Sequence, residues 1–266
     1  MQLFDDRAVM DNRRSDIIAI IPARYGSTRF PGKSLALIRD KPMIQWVYEQ
    51  TRLSRLVDRI IVATDDERIM QAVAAFGGES VMTSTSHITG TDRIAEVAKN
   101  VECNIVVNVQ GDEPLIHPEM IDTAISSLLD DPAVPMGTLC KQIQDCAEAF
   151  DPNVVKVVFD RQGFALYFSR APIPWNRDRW AGKKSFSEMT LDNTFYKHIG
   201  LYAYRRDFLL SYAGLQQTAL EAVEKLEQLR ALEHGHKIKV IETKHESFGV
   251  DIPDDLSKIL QRLKES

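Results

Sequence analysis

Two hydrophobic periods alternate along the first half of this chain. Ile17-Ile18-Ala19-Ile20-Ile21 is a continuous apolar run, the pattern of a strand buried on both faces. Pro42 to Leu53 follows as a helix, with Met43, Trp46, Val47 and Tyr48 supplying much of an apolar stripe. Arg59 to Thr64 is a short strand, apolar through Ile60-Ile61-Val62-Ala63. Asp65-Asp66-Glu67 then opens a helix whose first turn suits acidic residues, and Gly77-Gly78 ends it. Asn104 to Val109 is another buried strand. Such alternation predicts a parallel sheet with crossover helices.

The middle changes character. Met136 to Gln142, Val154 to Asp160 and Phe164 to Ser169 read as strands, with Asp160-Arg161-Gln162-Gly163 as a hairpin turn. Arg170 to Thr190 is polar, rich in Pro and Trp, and reads as a long loop of the kind that serves as a lid or binding segment. Phe195 to Arg205 is a strand that puts His198, Gly200 and Tyr202 on one face.

Thr218 to His234 has the best helical pattern. Thr218 and Glu221 make a capping box, Gly235 a stop, and Leu220, Val223, Leu226, Leu229 and Leu232 a stripe. Glu227 shares part of that inward face, so its carboxylate needs a partner, either Arg230 at i+3 or a ligand. Gln228 points about 100° away. Lys237 to Glu242 is a late strand, and a final helix starts near Asp254. With no internal repeat or low-complexity tract, the expectation is one α/β domain over residues 16–266. It carries a smaller β-rich lobe at about 165–215, and residues 1–15 form a flexible tail.

The chemistry concentrates after the first strand. Arg24-Tyr25-Gly26-Ser27-Thr28-Arg29-Phe30-Pro31-Gly32-Lys33 combines glycines, small hydroxyls and three cations. Glycine lets backbone N–H groups approach a ligand closely, and guanidinium and ammonium groups suit a polyphosphate. A Walker A loop needs four residues between its glycines. Here Gly26 and Gly32 enclose five, one of them Pro31, which has no N–H to offer.

Three further segments are candidates. Thr89-Gly90-Thr91-Asp92-Arg93 reads equally as a helix cap, with Thr91 or Asp92 as cap residue, or as a nucleotide contact through Arg93. Gln110-Gly111-Asp112-Glu113-Pro114 sits where open α/β sheets place ligand groups, and Asp112 is the first candidate for a Mg²⁺ ligand. Asp251 is a second carboxylate, between Gly249 and Pro253. His234-Gly235-His236 reads as a helix end and not as a metal site.

Net charge is −5, which argues against a general nucleic-acid surface and makes the cationic loop a local feature suited to a small anion. Three cysteines without CxxC spacing argue against a disulfide framework or structural zinc. No apolar run approaches the roughly 18 residues of a membrane span. The charged N-terminus does not read as a secretory signal, so a cytoplasmic location is expected.

From Ile17 to the C-terminus the chain resembles the 3-deoxy-manno-octulosonate (KDO) cytidylyltransferases. The matching motifs are Pro22 to Lys33, Thr89 to Arg93, Val107 to Pro114, Ser169 to Trp175, His198 to Tyr202, Leu226 to Arg230 and Gly249-Val250-Asp251. Phe30, Ser34 and Asp92 depart mildly from the usual pattern. The resemblance implies a nucleotide-diphospho-sugar transferase fold, with a mixed sheet and a dimerising lobe, hence a homodimer. It implies CTP bound by Arg24, Gly26, Ser27, Arg29, Lys33, Arg93 and Gln110, and Mg²⁺ held by Asp112 and Asp251. Arg24, Lys33, Asp112 and Asp251 become the catalytic set. Arg170, His198, Tyr202, Glu227 and Gln228 become the sugar-acid site. The implied reaction makes CMP-KDO and pyrophosphate for lipopolysaccharide biosynthesis. 8-Amino-KDO or another 2-keto-3-deoxy acid is an alternative acceptor, and a non-catalytic nucleotide-binding module an alternative of another class.

Overall fold

The computed structural model describes residues 16–27, 29–183, 185 and 188–265. The tail expected at 1–15 lies outside the described residues.

The apolar run Ile17–Ala23 is β1, with Ile17 to Ile21 all buried. It pairs in parallel with β4 (Arg59–Thr64) on one side and β6 (Ile105–Asn108) on the other. Alternate residues of β1 serve two cores, as expected of a strand covered on both faces. Ile17, Ala19 and Ile21 pack with Ile44 and Val47 of α1 (Met43–Arg52), Ile69 and Val73 of α2 (Glu67–Ala75) and Met120 and Ala124 of α4 (Pro118–Leu129). Ile18 and Ile20 pack with Ile94 and Val97 of α3 (Gly90–Lys99), Tyr212 of α7 (Arg206–Ala213) and Leu229 of α9 (Gln228–Glu233). The architecture is helix, sheet, helix.

With β5 (Ser80–Met82), β7 (Met136–Gln142), β10 (Tyr196–Arg205) and β11 (Ile238–Glu242), the sheet runs β11-β7-β10-β6-β1-β4-β5. On this path every strand except β10 runs parallel to β1, and β10 is antiparallel to both β6 and β7. The chain leaves β1 toward β4 and β5, then crosses back to place β6 on β1's other side. That reversal opens a crevice beyond the carboxyl ends of β1 and β6, where open α/β sheets bind ligands.

The hairpin of β8 (Lys156–Phe159) and β9 (Ala165–Ser169) hangs from the start of β10. Its turn is the one read from the sequence: Gly163, at φ +77°, donates to Asp160 O at 2.9 Å. The hairpin begins ahead of residue 165, and the second half of β10 belongs to the central sheet against β6. The segment expected as a long loop contains the short α6 (Arg177–Trp180), beside α5 (Cys146–Phe150). Trp180 is buried in a small core with Ile143, Ala149 and Phe195.

The long helix expected over Thr218 to His234 is two helices. α8 (Ala219–Glu224) ends where Lys225 enters the left-handed region at φ +55°, and α9 starts after Glu227. Leu220 and Val223 are exposed, at 40% and 82%, whereas Leu226 and Leu229 are buried. The stripe therefore is not one face. The break turns α8 so that buried Glu221 meets buried Arg230, at 2.6 and 2.8 Å, and Arg230 serves Glu221 and not Glu227.

The small hairpin of β2 (Leu37–Ile38) and β3 (Lys41–Pro42) and the last helix, α10 (Pro253–Glu265), close a third cluster. There Ile38, Met43 and Ile259 bury Val250, the residue before Asp251.

Candidate active site

The cationic loop lines a cleft of about 300 Å³ with Arg24, Ser27, Arg29 and Lys33. Across it stand Gln110, Asp112 and Asp251, and Thr89, Gly90 and Arg93 close one side. Gly26 lies in the loop but not in the cleft lining, and a Cβ there would meet nothing within 4 Å. Gly32 is constrained: its φ is +71°, and a Cβ would come within 3.0 Å of the Tyr25 ring. Its N–H donates to Tyr25 O at 2.8 Å, closing the loop, and the next residue, Lys33, starts a 3-10 turn aimed into the cleft.

Lys33 Nζ makes a short ion pair with Asp112 Oδ2 and donates to the carbonyl of Val250 at 3.2 Å. Val250 N–H donates to the carbonyl of Asp112 at 2.9 Å. The two carboxylate-bearing segments, far apart in sequence, are thus stitched side by side. Asp251 Oδ1 accepts from Arg29 at 2.9 Å in an exposed pair. Gly111 makes the approach of β6's end to β1 possible, since a Cβ would lie 2.6 Å from Pro22 O.

Arg93 is buried, held by Asp65 at 2.7 Å and by Thr83 Oγ1. The helix it sits on is capped by Thr89, not by Thr91 or Asp92: Thr89 Oγ1 accepts from Asp92 N, and the Asp92 carboxylate accepts from Thr89 N. Gln110 Nε2 donates to Gly200 O at 3.1 Å, linking the cleft to β10.

β10 supplies the second group. His198 and Tyr202 share a face, with ring centroids 5.4 Å apart, and the register slips between Ile199 and Tyr202. His198 Nε2 lies 2.9 Å from Thr138 Oγ1, and Phe168 sets its edge on the imidazole at 5.0 Å. Burial pushes the His198 pKa down to about 3, so the ring is neutral at physiological pH. Tyr202 is raised by burial and then by the nearby Glu227 carboxylate, and stays a phenol.

Glu227 lies at the N-terminus of α9. Burial raises its pKa, opposed by a hydrogen bond from Thr91. Its Oε1 and Gln228 Nε2 are buried without a protein partner, as is Asn108 Oδ1. Asn108 is the register partner of Tyr202 across β6 and β10. Orphaned buried polar atoms are costly and rare, and here Asn108 and Glu227 lie beside Tyr202, so the group offers two acceptors, and Gln228 Nε2 a donor, to a hydroxyl-bearing ligand.

Gln228 is buried, not turned away as a continuous helix would require. Arg170 is anchored through its backbone: its N–H and Ser169 Oγ reach the Glu224 carboxylate, and its guanidinium donates to Glu224 O and Pro152 O at 2.8 and 2.9 Å. Asn108 was not among the sequence candidates. Its signal is one polar residue inside the otherwise apolar Ile105-Val106-Val107-Asn108-Val109.

A sequence profile of the family Cytidylyltransferase matches residues 18–238. The chain is 59% identical over 249 residues to the 3-deoxy-manno-octulosonate cytidylyltransferase of Geobacter sulfurreducens, covering 94% of this chain and all of the relative. It belongs to the 3-deoxy-manno-octulosonate cytidylyltransferases. A family member from Solibacter usitatus is 52% identical over 250 residues, covering 94% of this chain and 95% of its own. A solved CMP:2-keto-3-deoxy-manno-octonic acid synthetase complexed with CTP superposes with a TM-score of 0.86 at 45% identity, covering 94% and 99% of the two chains. A cytidylyltransferase from Leptospira borgpetersenii, 15% identical with a TM-score of 0.61, shares the fold. The expected nucleotide-diphospho-sugar transferase fold is therefore the fold of this family member.

Proposed function

We infer that this protein couples CTP to 3-deoxy-manno-octulosonate, giving CMP-KDO and pyrophosphate, the activated sugar acid of lipopolysaccharide biosynthesis. The supporting observation is the juxtaposition of a triphosphate-sized cationic cleft with a buried polar pocket of orphaned donors and acceptors, in a chain 59% identical to a protein of that name.

The cleft loop takes the triphosphate. Arg24, Arg29 and Lys33 offset the charge of its β and γ phosphates and of the departing pyrophosphate. Arg93, pinned by Asp65, and Gln110 hold the nucleotide against the sheet end. His198, Tyr202, Glu227 and Gln228 orient the sugar acid so that its anomeric hydroxyl faces the α-phosphorus in line. Neutral His198 and Tyr202 donate or accept hydrogen bonds without adding charge beside an anionic acceptor.

Asp112 and Asp251 fit a divalent cation. They are hard oxygen donors on segments stitched together by the Val250–Asp112 hydrogen bond, and their present counterions, Lys33 and Arg29, are side chains that turn equally to phosphate. Mg²⁺ bound there supplies Lewis-acid stabilisation of the α-phosphate and lowers the pKa of the attacking hydroxyl. A homodimer in the cytoplasm belongs to the same reading. No helix among the described residues is long and apolar enough to cross a membrane.

The test is pyrophosphate release from purified protein, Mg²⁺ and CTP, with KDO, 8-amino-KDO and N-acetylneuraminate offered separately. Fastest release with KDO supports the reading. Faster release with 8-amino-KDO moves the acceptor, and no release with any of them despite CTP binding overturns it.

A further inference from the structure

Outside the cleft, His117, Glu119 and His245 form the group among the described residues that best suits a transition metal. Their ligand atoms all lie within 4.8 Å of one another. The imidazoles of His117 and His245 stack at 3.6 Å with planes 10° apart, and His245 Nε2 lies 2.8 Å from Glu119 Oε2. Lys244 Nζ lies 3.8 Å from the same carboxylate, so two ring nitrogens, a carboxylate and an ammonium meet at one surface point. The neutral imidazole is the form that binds metal.

We propose that His117, Glu119 and His245 bind a borderline divalent cation such as Zn²⁺, separate from the carboxylate pair Asp112 and Asp251. Two imidazoles and one carboxylate match Zn²⁺, Ni²⁺ or Co²⁺ far better than Mg²⁺, which favours oxygen donors.

The framework holding these residues is already built. His117 caps α4, its Nδ1 accepting from Glu119 N at 3.3 Å. The turn carrying His245 is tied by Thr243 N–H to Cys140 O at 2.8 Å, and by Lys141 Nζ to Lys244 O at 3.0 Å. Glu246 pairs with Lys141 and Lys197, at 2.6 and 2.8 Å. Glu119 is half exposed, which leaves a path for an ion from solvent.

Parallel rings cannot both aim a lone pair at one ion, so binding opens the stack by turning an imidazole. The metal takes the place of the hydrogen bond between His245 Nε2 and Glu119 Oε2, the His245 ring keeping its single proton on Nδ1. The cross-link joins the start of α4, five residues beyond Asp112, to the turn six residues before Asp251.

The experiment is titration of metal-stripped full-length protein with Zn²⁺ by calorimetry in excess Mg²⁺, and with Co²⁺ by absorption. One equivalent of Zn²⁺, a Co²⁺ spectrum without thiolate charge-transfer bands, and shifted His117 and His245 ring signals by NMR are expected. His117→Asn keeps a capping acceptor, and His245→Gln keeps a polar side chain. Each should weaken Zn²⁺ binding about tenfold or more, while Asp112→Asn should not. Pyrophosphate release in Mg²⁺ serves as the folding control for both histidine variants. Absence of Zn²⁺ binding, binding unchanged in both histidine variants, or binding lost in Asp112→Asn would each overturn the site.

Discussion

The guanidinium of Arg230 donates through Nε and Nη2 to both carboxylate oxygens of Glu221, at 2.8 and 2.6 Å, with both side chains buried. Burial pushes the Glu221 carboxyl up, but the hydrogen bonds from Arg230 outweigh burial and leave the carboxyl below its ordinary value, while Arg230 is raised. With Arg230 spent on Glu221, Glu227 Oε1 is left without a protein partner. Removing one partner strands a buried charge. Arg230→Met is expected to cost about 3–5 kcal/mol, while Glu221→Gln with Arg230→Met should recover part of that loss. Denaturant unfolding of Arg230→Met, Glu221→Gln and the double variant measures it, and a fully additive cycle would contradict a direct pair.

Asp112 is paired with Lys33 and shares a backbone bond with Val250. Asp112→Asn keeps the shape and removes the charge. Turnover should fall by about 10³-fold or more, because the carboxylate proposed to hold the divalent cation at the reacting phosphate loses its charge. CTP binding should persist, weakened. Pyrophosphate release and CTP calorimetry separate the two, and near-normal turnover would remove Asp112 from the catalytic set.

Gly111 leaves no room for a side chain, since a Cβ would meet Pro22 O at 2.6 Å. Backbone on backbone cannot yield as a flexible side chain can. Gly111→Ala should destabilise by about 1–3 kcal/mol and displace Asp112, so kcat should fall more than the melting temperature alone explains. A variant with wild-type kcat would show that the Asp112 position tolerates the shift.

Asn108 Oδ1 is buried without a partner. Replacing it by an apolar residue of similar shape removes an unsatisfied group, which is near neutral or stabilising. Asn108→Leu should therefore keep or raise the melting temperature, while KM for the sugar acid rises about tenfold and KM for CTP holds, the loss of one hydrogen bond to substrate. An unchanged sugar KM would leave Asn108 as a purely structural residue.

His198 titrates near 6.5 when solvated and near 3 in the fold, because burial disfavours the imidazolium. The unfolded chain therefore binds the extra proton between those values. Stability is unaffected by this ring above about pH 6.5 and falls as pH drops from there toward 3, with a slope near 1.4 kcal/mol per pH unit. His198→Gln should flatten that part of the pH–stability curve. An unchanged slope would mean that His198 is hydrated.

Much of this protein was legible in its sequence. The run Ile17 to Ile21 could only be a doubly covered strand, and the hairpin at Asp160 to Gly163 follows from local turn chemistry. The motifs from Pro22 to Lys33 and from Gln110 to Pro114 mark strand ends, which the sheet brings together at one crevice. These features depend on residues close in the chain, where backbone preference and period decide the outcome.

Three things were decided by the tertiary structure. The helical pattern over Thr218 to His234 ran unbroken, yet the chain breaks at Lys225, because the buried Glu221–Arg230 pair outweighs a continuous stripe. The anchoring of Arg93 by Asp65 depends on a neighbouring loop that no local pattern reveals, whereas the Thr89–Asp92 cap is a local pairing three residues apart that the reading at Thr91 or Asp92 missed. Asn108 became visible as a candidate site residue only when β10 inserted antiparallel beside β6 and set Tyr202 against it. Periodicity reports which face of an element is apolar. Which charges meet, and which polar atoms are left for a ligand, is fixed by packing between segments far apart in the chain.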